Sequence, residues 1–191
     1  MPGASGIGSA TKRKAEGGDL HTDTPPIEAK RMLCRTAARI RRYWGRRIID
    51  VKKAHLNPRC NDEVFIELPE ELGAGRDQVG KLIYWLYGFR PAAAAWENDY
   101  AGKLQVRGFV RGVASPVVFH HPDRDVSLVV HGDDLWPLAD QDALEALMPK
   151  LHATYSLKVN GVLGPDPEDD KAVTSLNKLV RFVDSQGVEL E

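Results

Sequence analysis

The sequence predicts an α+β domain, a small antiparallel sheet backed by helices. Three observations predict it. Short apolar or β-branched runs, at residues 46–51, 63–68, 117–121 and 126–130, are separated by polar turn residues, the signature of strands and hairpins. Two stretches carry helical spacing instead: Leu33, Ala37, Ile40 and Trp44, then Ala93, Trp96, Tyr100 and Leu104. The two kinds of segment alternate, with hairpins and no internal repeat, as in a sheet covered by helices.

In order, residues 1–20 are rich in Gly, Ser, Ala and charge and read as a disordered tail. Thr24 as N-cap and Pro25 at the first helical position open the first helix. Its Arg35, Arg39, Arg42 and Arg46 make either a solvated basic face or a contact for phosphate. The strand ending near Asp50 follows, then a polar link over 57–62 and a strand over 63–68. Residues 70–78 read as a loop, and 79–87 as a short apolar helix stopped by Gly88. Pro91 opens the next helix and Gly108 stops it, with Trp96 and Tyr100 as core.

Residues 117–121 and 126–130 form a hairpin around Pro122-Asp123-Arg124, with His120 and His121 on the strand surface. Asp140 or Asp142 caps a helix through Leu151, which Pro149 should end or bend. Residues 155–160 read as a strand and 161–170 as a loop of Gly, Pro and acids. A last hairpin joins 174–183 to 188–190 through Asp184-Ser185-Gln186-Gly187.

At 191 residues and 42% hydrophobic, the chain can bury one core, with or without a ragged extension. The net charge of −1 is uninformative, but its distribution is not. Residues 1–49 hold 11 Lys+Arg against 4 Asp+Glu, the remainder 15 against 23. A basic front and acidic rear suit phosphate contact and metal-binding acids; they equally suit a basic helix on an ordinary acidic domain. Cys34 and Cys60 lack zinc-site spacing and do not suggest a disulfide-stapled secreted domain. No apolar run reaches membrane-spanning length, and no signal-peptide core begins the chain. The expected setting is intracellular, cytoplasmic or nuclear, with no membrane partner.

The chemistry centres on Leu128-Val129-Val130-His131-Gly132-Asp133-Asp134-Leu135. It reads as strand, tight turn with two carboxylates at its tip, and returning strand. Adjacent acids repel, and a hard divalent cation, Mg²⁺ or Mn²⁺, is the usual compensator of all-oxygen sites. A plain solvated turn is the alternative, since Gly and Asp are turn residues. Asp50 supplies a third acid on a second strand. Three carboxylates on two strands can hold two metal ions for in-line phosphoryl displacement.

Four segments in order carry a family resemblance over residues 21–191. Asp50-Val51-Lys52-Lys53-Ala54-His55-Leu56-Asn57, followed by Glu63-Val64-Phe65-Ile66-Glu67-Leu68-Pro69-Glu70, resembles the first catalytic segment of copia-type retrotransposon reverse transcriptases. Leu82-Ile83-Tyr84-Trp85-Leu86-Tyr87-Gly88-Phe89-Arg90, with Ala92 to Trp96, resembles their "LYGLKQAPRAW" segment. Gly108-Phe109 and Ala114-Ser115-Pro116-Val117-Val118-Phe119 resemble "GF…SDPCLF", and His131-Gly132-Asp133-Asp134 occupies the place of the "YxDD" box.

The resemblance implies an antiparallel polymerase palm with partial fingers over 21–191, lacking thumb and ribonuclease H. It implies an RNA-directed DNA polymerase, a nucleotidyltransferase from a retrotransposon polyprotein. Asp50, Asp133 and Asp134 would be catalytic ligands of Mg²⁺ or Mn²⁺. His55, Gly88 and Arg90 would meet the nucleotide: His55 as the planar group under the sugar, Gly88 by close backbone approach, Arg90 at phosphate. For His55, a hydrogen-bonded, half-buried role is the other reading. Gly132 permits the turn, and His131, replacing the usual Tyr, would position the primer end. Pro91 stands where the family usually has Gln, and Ala95 near its basic residue.

Partners would be an RNA or DNA template with a DNA primer, deoxynucleoside triphosphates, and the missing thumb, ribonuclease H and integrase domains. Such a chain would be a fragment or a decayed element copy. The contrasting expectation is a catalytically inactive remnant that at most binds nucleic acid or protein. A Gly-Asp-Asp RNA-dependent RNA polymerase and an unrelated metal-dependent phosphohydrolase share the acids but not the copia-like segments.

Overall fold

The computed structural model describes residues 28–29, 31–32, 45–75, 77–164, 166–175, 178–183 and 187–190, with the backbone alone for 45–46 and 187–190. The predicted tail over 1–20, most of the basic helix and Cys34 lie outside the described residues. Residues 28–29 and 31–32 are helical.

The fold is α+β. A six-stranded sheet has the order β4-β5-β6-β7-β1-β8 and is antiparallel at every step. Its strands are β1 (Gly45–Val51), β4 (Val110–Arg111), β5 (Val118–His121), β6 (Val126–His131), β7 (Asp134–Ala139) and β8 (Leu157–Leu163). The hairpin of β2 (Phe65–Glu67) and β3 (Val79–Lys81) stands apart, and β9 (Ala172–Ser175), β10 (Lys178–Val183) and β11 (Gly187–Leu190) form a third sheet. Helices α1 (Arg90–Val106) and α2 (Gln141–His152) complete the long elements among the described residues.

Alternation along the strands divides the core between two faces of the large sheet. Ile49, Val51, Leu128, Val130 and Leu135 pack with Trp96 and Leu104 of α1 and Leu144 and Leu151 of α2. Ile48, Val129, Trp136 and Leu138 face the other way, against Val173 of β9 and Val180 of β10. β6 and β7 are therefore apolar on both sides, as a strand between two layers must be. Each such side chain, removed from water, stabilises the fold by about 1.5–3 kcal/mol. Close approach of the layers is visible at Gly161, where a Cβ would lie 2.3 Å from Val173 Cγ2.

The elements differ from the sequence expectations in six places. Residues 79–87 are not a helix: 79–81 pair with β2 as β3, and turns follow. The run is apolar but too short for helical periodicity to outweigh the pairing offered by 65–67. β8 continues through Gly161 to Leu163, beyond its expected end, because a bulge opposite Ile48 and Ile49 absorbs the glycine-bearing segment. The stretch 174–183 is two strands, since β9 and β10 pair from Ser175↔Lys178 outward. Pro149 does not end α2, which runs to His152 with Ala153 N–H donating to the Pro149 carbonyl. His121 is buried, against Phe109, rather than on the strand surface. Asp134 begins β7 and is 6% exposed, so only Asp133 sits at the turn's tip.

Candidate functional site

β1 and the β6–β7 hairpin are neighbours in the sheet, and their register brings the acids together. Asp50 is the cross-strand partner of Asp134. One residue on, Val51 N–H donates to the Asp133 carbonyl at 2.8 Å. Antiparallel pairs alternate between hydrogen-bonded and non-bonded types, so Asp50–Asp134 is the non-bonded type, with the side chains closest. Such a pair has Cβ atoms roughly 5 Å apart. Asp50 and Asp133 are half-buried.

Like charges directly opposite one another are destabilising. On its other flank Asp50 is in register with Lys158 of β8. Asp134 Oδ2 accepts a hydrogen bond from Ser175 Oγ at 2.5 Å, inside the protein. No local pattern around Ser175 signalled this contact, which crosses from the third sheet.

The turn is a two-residue loop, Gly132-Asp133, closed by the pair His131↔Asp134. Gly132 has φ +61° and Asp133 lies outside the left-handed region, the pattern of a II′ hairpin with Gly at the first central position. Half-buried His131 is thus opposite Asp134 rather than beyond it. Trp96 Nε1–H donates to the Gly132 carbonyl at 2.8 Å, tying the turn to α1. The sequence marked Trp96 as core, which it is at 2% exposed, but not as a tether.

The residues expected to meet a nucleotide form a second group. His55 sits in a 3-10 turn, Ala54–Leu56, entered through Lys53 at φ +55°. Its ring stacks on exposed Tyr87 with centroids 4.7 Å apart. Gly88 follows at φ +90°, and Arg90 is the exposed first residue of α1. His55 is therefore half-buried and stacked, and the structure joins it to the 87–90 segment. Tyr87 is the member the sequence reading passed over.

No protein-family model matches the chain. Among the described residues, no group of three or more His, Cys, Asp or Glu side chains stands gathered as an ion site. Asp50 and Asp134 by themselves supply oxygen donors only, from directly opposed positions, a donor chemistry that fits a hard divalent cation. No helix among the described residues is long and apolar enough to cross a membrane.

An open groove of about 740 Å³ lies elsewhere, between the 57–62 link and α1, lined by Asn57, Arg59, Tyr84, Trp85, Asp99 and Lys103 among others. None of the expected site residues lines it. Its wall is held by Asp99, which accepts from Lys103 Nζ and from the Tyr155 hydroxyl, each at 2.7 Å. Burial first, then the hydrogen bond and charge of Asp99, push the Tyr155 pKa far above its ordinary value. The Tyr155 ring meets the edge of Trp96, with centroids 5.1 Å apart, so the same packing supports the turn.

Proposed function

We propose that this chain is the palm, with partial fingers, of an RNA-directed DNA polymerase of the copia retrotransposon type. The observation that carries the reading is the cross-strand pair of Asp50 and Asp134, beside a tight turn presenting Asp133. It is joined by the four ordered sequence segments that resemble this family.

In this reading Asp50, Asp133 and Asp134 would hold Mg²⁺ or Mn²⁺, which supplies charge neutralisation at phosphate and a lowered pKa for the attacking hydroxyl. The protein's own part is positional. The β1–β7 register fixes the spacing of Asp50 and Asp134, Gly132 lets the chain reverse, and Trp96 stops the turn from swinging. The His55–Tyr87 stack would offer a flat face to the sugar of a deoxynucleoside triphosphate, with Gly88 and Arg90 following close in the chain. His131, half-buried opposite Asp134, lies next to the acids that would meet the primer end. The template, RNA or DNA, would approach at the Gly132-Asp133 end of the sheet, where the turn meets solvent.

A second reading, a silent remnant that binds nucleic acid or protein, is favoured by the absence of a gathered three-acid group among the described residues. The two are separated by primer extension on an RNA template with deoxynucleotides, run beside Asp133→Asn. Extension lost in the variant supports the polymerase; none from either protein supports the remnant. Preference for ribonucleotides would point to an RNA polymerase instead.

A further inference from the structure

We propose that the outward face of the β2–β3 hairpin docks a second copy of this chain, across a two-fold axis along the Phe65–Val79 diagonal. The inference goes beyond the polymerase reading and does not depend on it.

The register sets the face. Phe65 is opposite Lys81 and Glu67 is opposite Val79, and side chains directly opposed or two residues apart share one face. All four are exposed. Ile66 and Gly80, on the other face, are half-buried, and a Cβ at Gly80 would lie 2.7 Å from Leu68 Cδ2. A two-stranded sheet of three-residue strands is marginal in water by itself, and this one joins neither of the other sheets. Yet Phe65 and Val79 are 55% and 58% exposed. Among the described residues, six of the eleven exposed large hydrophobics lie between 65 and 87, so exposed apolar surface concentrates around this hairpin.

The arrangement of the four side chains selects a second copy as the occupant. Phe65 and Val79 take one diagonal of the face, Glu67 and Lys81 the other. A two-fold axis along the apolar diagonal lays Phe65 on Phe65 and Val79 on Val79, and exchanges the charged corners. Glu67 of each copy then meets Lys81 of the other, twice, as an isologous contact requires. An axis along the charged diagonal would set like charges together. One along or across the strands would set Phe65 on a charged side chain. With opposed residues roughly 5 Å apart and alternate residues roughly 7 Å apart, the favoured axis makes the two hairpins cross at about 70°, near the orthogonal class of sheet packing. Lys81 Nζ lies 3.5 Å from Glu63 Oε1 of its own chain, an exposed pair that leaves the ammonium further donors for a second carboxylate. A stable interface buries about 800 Å² per partner; four side chains supply less, so the dimer is weak and depends on concentration.

The test is sedimentation equilibrium of the full chain from about 10 μM to about 1 mM, the range in which so small a contact has its midpoint. The native chain should pass from monomer to dimer over that range. Phe65→Lys, which brings two ammonium groups together on the axis, should raise the midpoint by about tenfold or more. Glu67→Lys and Lys81→Glu should each weaken association when alone. Mixing these two variants should restore it, because each supplies the charge the other needs at both corners. Val106→Lys, at the exposed end of α1, should change nothing. Thermal unfolding of each variant confirms that it is folded.

Loss in the single variants with recovery in the mixture supports the docked pair. A native chain that stays monomeric throughout, a dimer indifferent to Phe65→Lys, or a mixture no better than its components overturns it. Primer extension decides the polymerase reading separately, since none of the four residues belongs to the carboxylate site.

Discussion

Trp96 of α1 donates its indole N–H to the carbonyl of Gly132, so a helix on one face of the sheet holds the turn that presents Asp133. The Trp96→Phe variant keeps most of the ring but removes the donor. It should cost about 0.5–1.5 kcal/mol, the net worth of an intramolecular hydrogen bond whose acceptor can turn to water. Urea denaturation measures this. If the tether matters to the site, any primer-extension activity should fall further than the unfolded fraction explains.

Gly132 and Gly161 are both needed, for different reasons. At Gly132, φ is +61° and a Cβ would have open space around it. Gly132→Ala should therefore cost about 1–2 kcal/mol through backbone strain alone, and Gly132→Asn less, since Asn tolerates left-handed geometry. At Gly161 the penalty is steric, against the stiff Val173 side chain. Gly161→Ala should be rescued in part by Val173→Ala, whereas Gly132→Ala should not. Denaturation of the single and double variants reads this non-additivity directly.

Asp140 caps α2, its Oδ1 accepting from Ala143 N–H at 2.8 Å. Asp140→Ala should destabilise the protein by about 1 kcal/mol, as loss of such a cap does. Asp142→Ala should cost less, because its carboxylate sits in the first turn without the capping bond. Thermal unfolding of the two variants decides between them.

Tyr155 makes stability sensitive to high pH. Its pKa is raised in the folded protein, chiefly by burial, so above the ordinary tyrosine value of 10.0 the unfolded chain loses a proton that the native one keeps. Its contribution to stability is complete below that pH and declines as pH rises toward the folded value. Tyr155→Phe should remove this part of the decline, at a cost near neutral pH of about 1 kcal/mol for the lost hydrogen bond to Asp99. Denaturation at pH 8, 10 and 11 gives the comparison.

The sequence was most legible where local pattern and tertiary pairing agree. The Val126–His131 strand, the Gly-Asp turn and the cap at Asp140 all carry their own signals, and each forms where expected. The 79–87 run carried only apolarity, which does not separate a short helix from a strand, and the partner strand decided. Asp134 was placed with Asp133 at a tip because the sequence cannot show where pairing resumes after Gly132. Ser175 was invisible for another reason. Its partner lies 41 residues away, in a different sheet, and no periodicity encodes a contact between layers.

The measurement that tests the central claim most directly is a comparison of Asp50→Asn with the native chain, by denaturation and by primer extension together. If Asp50 and Asp134 are a functional pair held against their own repulsion, removing one charge should raise stability by a few tenths to about 1 kcal/mol. The same change should cut extension by at least about a hundredfold, the several kcal/mol that charge stabilisation at phosphate supplies. A variant that extends primers as well as the native chain would contradict the account.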